Sequence, residues 1–186
     1  MAEVNLRPNV ATLAAASLLI ALISALSLHW PAASASIVLG ILMFAGADVD
    51  ARTHHLPDTV TLGATFCGII AATVLEPNEP WLSMAAAGLR AAGTALMLGT
   101  VRWCYGRLRG REGLGFGDVK LAAAVGAWLP LEAIPLCFSL ATSGALVAVL
   151  LAGFRGQAIQ GGMKLPFGAF LCPALWLAFY AGALTG

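Results

Sequence analysis

Charge is what this sequence has least of. Of its 186 residues, 10 are Lys or Arg and 9 are Asp or Glu, 10% in all. A soluble domain carries roughly 25%. With 60% hydrophobic residues and a mean hydropathy of +0.88, the deficit excludes a soluble globular chain and defines an integral membrane protein. A net charge of +1 says nothing useful about partners, and no nucleic-acid partner is expected. The four cysteines, Cys67, Cys104, Cys137 and Cys172, lie far apart and form no C-x-x-C, which excludes a zinc knuckle and a disulfide framework and leaves packing as their role. His54 and His55 have no clustered third ligand and no H-E-x-x-H, so no metal is expected. No G-x-x-x-x-G-K-[ST] is present, and no cofactor is expected. A cleavable signal is absent too: Arg7 stands alone before the first apolar run, which is therefore read as a retained helix.

Apolar runs are what fill the chain. A spanning helix needs roughly 20 such residues. The runs Val10–Leu28, Ala32–Ala47, Thr59–Leu75, Trp81–Tyr105, Asp118–Leu129, Ala133–Phe154 and Phe167–Leu184 predict an all-α, polytopic fold of about seven transmembrane helices. No soluble domain is expected, and residues 1–186 read as a single domain. The fifth run is the short one, cut off by Pro130-Leu-Glu132. Pro57 marks the start of the third helix, with Asp58 read as its N-cap.

Orientation follows from Lys and Arg. With the N-terminus inside, the inner segments hold Arg7, Arg52, Arg102, Arg107, Arg109, Arg111, Lys120, Arg155 and Lys164. The outer turns hold Glu76, Glu79 and Glu132. Arg90 alone is out of place and is expected to snorkel toward Glu76 or Glu79. Trp30, Trp81 and Trp128 read as outer interfacial anchors, Trp103 as an inner one. Arg102, Arg107, Arg109 and Arg111 face anionic lipid.

Two acids then land at the inner boundary, Asp50 at the end of the second helix and Asp118 at the start of the fifth. An ionisable group at a membrane edge is a functional hypothesis by default. Two carboxylates on one face suggest an aspartyl dyad, one activating a water while its protonated partner polarises a carbonyl. Helix dipoles suggest that Asp118, at a helix N-terminus, holds the charge and Asp50, at a C-terminus, the proton. Asp48 is the rival to Asp50, but two residues apart on a helix are about 200° apart and only one can face a partner. Gly113, Gly115 and Gly117 let another backbone approach Asp118 closely.

Three stretches resemble one known family, the type IV prepilin peptidases, GxGD-type intramembrane aspartyl proteases. Asp50-Ala-Arg-Thr-His-His-Leu56-Pro57-Asp58 with Thr61 is similar to D-x-x-x-x-x-[LI]-P-D-x-x-T. Gly115-Phe-Gly117-Asp118-Val-Lys120, continuing to Gly126-Ala-Trp128, resembles G-x-G-D-x-K-L-x-A-x-x-G-x-W. Leu165-Pro166-Phe167-Gly168-Ala169-Phe170-Leu171 resembles [IL]-P-F-G-P-F-L, with Ala169 in place of the usual proline. The resemblance implies that Asp50 and Asp118 are the catalytic pair, with water as nucleophile. Pro57, Asp58, Gly115, Gly117, Lys120, Pro166, Phe167 and Gly168 would support the site or the substrate. Lys120 itself reads first as a headgroup or loop contact. The implied partners are membrane lipid and the leader of a prepilin or pseudopilin, cut at the cytoplasmic face of a bacterial inner membrane.

Bifunctional members of that family also N-methylate the new amino terminus, using a domain with paired C-x-x-C motifs. Without those cysteines, cleavage alone is expected. The competing classes are a proton-coupled transporter or channel and a catalytically inactive pilus-assembly homologue. A relay sets its acids at mid-membrane depth, whereas here they cluster at one face.

Overall fold

A computed structural model describes residues 10–53, 55–110, 115–154 and 166–185. Seven helices occupy the described residues: α1 (Val10–Ser27), α2 (Trp30–Thr53), α3 (Asp58–Leu75), α4 (Pro80–Arg109), α5 (Phe116–Trp128), α6 (Ile134–Phe154) and α7 (Phe167–Thr185). Five of them, α2, α3, α4, α6 and α7, are long and apolar enough to cross a membrane. The expected seven spans are thus met by seven helices but five of spanning length. In α1 the shorter apolar stretch is Thr12–Ser27, and α5 has only 13 residues.

Two helices outrun their apolar segments. Expected to stop at Ala47, α2 continues to Thr53 because its polar end makes its own helical contacts. Arg52 pairs with Asp48 at 2.7 Å, and the Thr53 hydroxyl donates to the Val49 carbonyl at 2.8 Å. The fourth helix runs past Tyr105 to Arg109 and is closed by Gly110, whose φ of 62° is left-handed. That conformation costs glycine nothing.

The shortest helix is the most enclosed. Leu121, Ala122, Ala124, Val125, Gly126, Ala127 and Trp128 of α5 are all buried, with α3, α4, α6 and α7 packed around them. Gly126 permits the α4 crossing, since a Cβ there would overlap the Arg90 carbonyl oxygen and the Thr94 hydroxyl. At that crossing the Thr94 hydroxyl donates to the Ala122 carbonyl at 2.7 Å, and Arg90 Nε to the Gly126 carbonyl at 3.2 Å. Arg90 therefore turns inward instead of snorkelling outward, because the bare glycine brings α5's carbonyl within its reach.

Trp128 is also relocated. It is a core residue, 6% exposed, whereas Trp30, Trp81 and Trp103 stand out from the bundle as anchors would. Its Nε1 donates to the Ala64 carbonyl at 2.7 Å, and its ring meets Phe179 edge-on at 5.3 Å. Gly68 leaves room for it: a Cβ there would lie 2.7 Å from Trp128 Cδ1. Trp128→Phe removes the bond and leaves a void. The expected cost is about 1–2 kcal/mol, read as a lower thermal midpoint by circular dichroism in detergent; an unchanged midpoint would remove Trp128 as the α3–α5 anchor.

Candidate active site

The acid at the end of α2 is built into the protein. Asp50 is 6% exposed, and its Oδ2 accepts the Ala169 backbone N–H, in the first turn of α7, at 2.8 Å. A bond from N–H to a charged oxygen is about twice as strong as a neutral one. The motif's usual proline could not donate here, so the departure at Ala169 supplies a donor. It also removes the expected asymmetry of dipoles. Asp50 ends its own helix, but its carboxylate lies against the N-terminus of α7, so each acid sees a favourable helix end.

The other acid, Asp118, sits in the first turn of α5, half-buried. Its Oδ2 accepts the Gly115 N–H at 3.2 Å and so satisfies one of the orphan donors at that helix start. Asp50 and Asp118 lie within electrostatic reach of each other, and Arg102 of α4 within reach of Asp118. Cys172, fully buried one turn beyond Gly168, lies within electrostatic reach of both carboxylates. The acids, from helices 68 positions apart in sequence, share one end of the bundle.

Leu56 is the hub of the three motifs. A Cβ on Gly117 would come within 3.1 Å of the Leu56 Cβ, and one on Gly168 within 2.8 Å of both Leu56 Cδ1 and Asp50 Oδ2. Both glycines thus clear room for one leucine beside Asp50. Gly168→Ala is expected to displace that carboxylate and lower turnover about 100-fold with the thermal midpoint kept. Full activity in that variant would show that Asp50 tolerates the shift.

The supporting residues take definite places. Pro57, extended at φ −64° and ψ 137°, is the N-cap of α3 and makes no side-chain cap. Asp58 is therefore the first helical residue and not the N-cap. Its carboxylate is engaged elsewhere, with Lys120 Nζ 2.6 Å from Oδ1. Lys120 is thus a partner of α3; its ammonium also lies 4.9 Å from the centre of the Phe116 ring, which Arg102 approaches at 5.5 Å. Pro166 starts α7, its carbonyl accepting the Ala169 N–H at 3.2 Å, and Phe167 packs against the core. Asp48 pairs with Arg52 on the exposed side of α2, away from Asp50. His55 is exposed, its Nδ1 2.9 Å from the Thr53 carbonyl. His54, Arg111, Glu112, Gly113, Arg155, Lys164 and Leu165 lie outside the described residues.

The family model for the type IV leader peptidase family matches residues 37–153. The chain belongs to the type IV leader peptidase family. The matched segment holds Asp50, Pro57, Asp58, Gly115, Gly117, Asp118 and Lys120, while Pro166, Phe167 and Gly168 lie beyond it. Among curated relatives, a protein of Burkholderia pseudomallei named prepilin leader peptidase/N-methyltransferase is 35% identical over 149 residues, 79% of this chain and 47% of the relative. A protein of the same name from Xanthomonas campestris pv. campestris is 33% identical, covering 79% of this chain and 50% of its own length. Another from Aeromonas hydrophila is 30% identical over 97% of this chain and 60% of its own. The chain spans about half the length of the curated relatives it matches. No solved structure matches it. With its apolar helices, this family member is a multi-pass membrane protein.

Sequence reasoning missed four groups around the acids: Leu56 as hub, the Ala169 N–H, Arg102 and Cys172. Leu56 and Ala169 carried a visible signal, the first as a specified position of its motif and the second as the one departure from its motif.

Proposed function

We propose that this family member is a membrane-embedded aspartyl endopeptidase of the GxGD type, cutting the N-terminal leader from a prepilin or pseudopilin. The observation that carries the proposal is the pairing of Asp50 with Asp118 at one end of the bundle, each carboxylate held by a backbone N–H. In the proposed step, one acid, ionised, takes a proton from a water whose oxygen attacks the scissile carbonyl carbon. The other, protonated, donates a hydrogen bond to the carbonyl oxygen as the oxyanion forms. Collapse of that intermediate breaks the C–N bond, and the first acid passes its proton to the leaving amine. Coupled carboxylates do not both ionise readily, so a single shared proton serves the proposed pair. The substrate backbone would reach the acids past Gly115, the exposed glycine at the start of α5.

Arg52 sits at the end of α2 that bears Asp50, and Arg102, Arg107 and Arg109 at the C-terminal end of α4, opposite the turn holding Glu76 and Glu79. By the positive-inside rule this end is cytoplasmic, with the protein in a bacterial inner membrane, its N-terminus inside and its partners lipid and the substrate leader. The relatives' names pair peptidase with N-methyltransferase. Only the peptidase activity is proposed for this chain, whose sequence has no C-x-x-C. Proton transport is disfavoured because the acids lie at one end rather than along a path between faces.

The deciding experiment incubates the purified protein in liposomes with a panel of prepilin leaders and analyses the products by mass spectrometry. One cut at the start of the apolar segment supports the proposal. Intact leaders together with an acid-dependent proton flux would replace it with the transporter.

A further inference from the structure

We infer that Lys120 and Asp58 form a positioning clamp that fixes the Asp118 end of α5 against the start of α3. The inference rests on the peptidase proposal for its consequence but on geometry for its existence.

The long helices hold α5 mainly toward its C-terminal half. Thr94 bonds to the Ala122 carbonyl, Arg90 to that of Gly126, and Trp128 reaches Ala64. Toward its first turn, where Asp118 sits, neighbours thin out: Gly115 and Phe116 are exposed, and Gly117 to Lys120 are half-buried. There the Lys120–Asp58 pair, at 2.6 Å, crosses from α5 to α3. Asp58 is free for this because it makes no cap of its own. It follows directly on Leu56 and Pro57, so the pair also anchors the segment whose leucine fills the space beside Gly117 and Gly168. Lys120 lies 4.9 Å from the Phe116 ring centre, which limits the angles its stem can take.

An exposed ion pair contributes little to global stability, and the far end of α5 is held independently. Placement of Asp118 is another matter, since a shift of about 1 Å at a reacting group can cost about 100-fold in rate. The clamp's signature is therefore a loss of turnover without a loss of fold.

The test is a double-mutant cycle in liposomes with Asp58→Asn, Lys120→Met and the double variant, on a leader the wild type cuts. Each single change should lower kcat about tenfold with KM within about twofold, and the double should lose no more than either single. Thermal midpoints should stay at the wild-type value. Losses that multiply, or a rise in KM, would show that the two residues act separately on the leader and would overturn the clamp. So would wild-type kcat in either single variant, or a midpoint falling in step with activity. Hydrogen exchange at the amides of residues 120–122, the first with partners inside α5, gives a second readout independent of cleavage. It should speed up in Lys120→Met and stay unchanged at residues 124–127. If the wild type cuts no leader, the peptidase proposal fails, and exchange alone decides the clamp: unchanged rates at 120–122 would end it.

Discussion

Asp50→Asn and Asp118→Asn are each expected to lower leader turnover by about 10³-fold or more, the range general acid–base groups supply. Asparagine is the right replacement. At position 118 it keeps an oxygen for the Gly115 N–H, and at position 50 one for the Ala169 N–H. The shape of the site is thereby preserved while the shared proton is lost. Because the two acids act as one unit, the double variant should be no worse than either single. Asp48→Asn, which releases Arg52 on the exposed side of α2, should retain near-wild-type turnover. The measurement is single-turnover cleavage of one leader in liposomes. Activity surviving either change at position 50 or 118 discards the two-carboxylate mechanism.

Gly126→Ala carries the largest expected effect on stability. Its new Cβ would be driven into the Arg90 carbonyl and the Thr94 hydroxyl, and the carbonyl is helix backbone that cannot rotate aside. The α4–α5 crossing must open, loosening the Thr94 bond to Ala122 and the Arg90 bond to Gly126 itself. Overpacking of this kind costs about 1–3 kcal/mol, and more where backbone must move. Gly93 is the control, as a Cβ there meets nothing within 4 Å. Gly93→Ala should stabilise by about 0.5–1 kcal/mol by removing a helical glycine. Thermal unfolding in detergent compares the two. Equal midpoints would mean that the close crossing does not hold the bundle together.

Much of this architecture was legible because apolar runs and proline boundaries mark helices without help from tertiary contacts. The seventh helix was read to within one residue, and the motifs were rightly grouped at one end. Helix ends carrying polar residues were not legible. Asp48 to Thr53 looks like a loop by hydropathy, yet Arg52 and Thr53 each bond four residues back and carry the helix on. Partners across helices were hidden for a different reason. Periodicity gives the face a side chain occupies, not what stands opposite. Sequence alone makes Lys120 a headgroup or loop contact and Asp58 a cap, although each is the other's counter-ion. Arg90 and Trp128 were placed at the interface by residue type, and both turned inward to carbonyls that small neighbours had uncovered.

The brevity of α5 has a consequence for water. At about 1.5 Å per residue, a helix this short is about 20 Å long, two-thirds of a hydrocarbon layer of about 30 Å. Its far end is closed inside the core by Trp128, while Gly115 and Phe116 at its start are exposed. In the proposed reaction, water therefore meets Asp118 from the exposed end of α5, the end at which Asp50 also stands, and the buried half of the helix takes no part in its delivery.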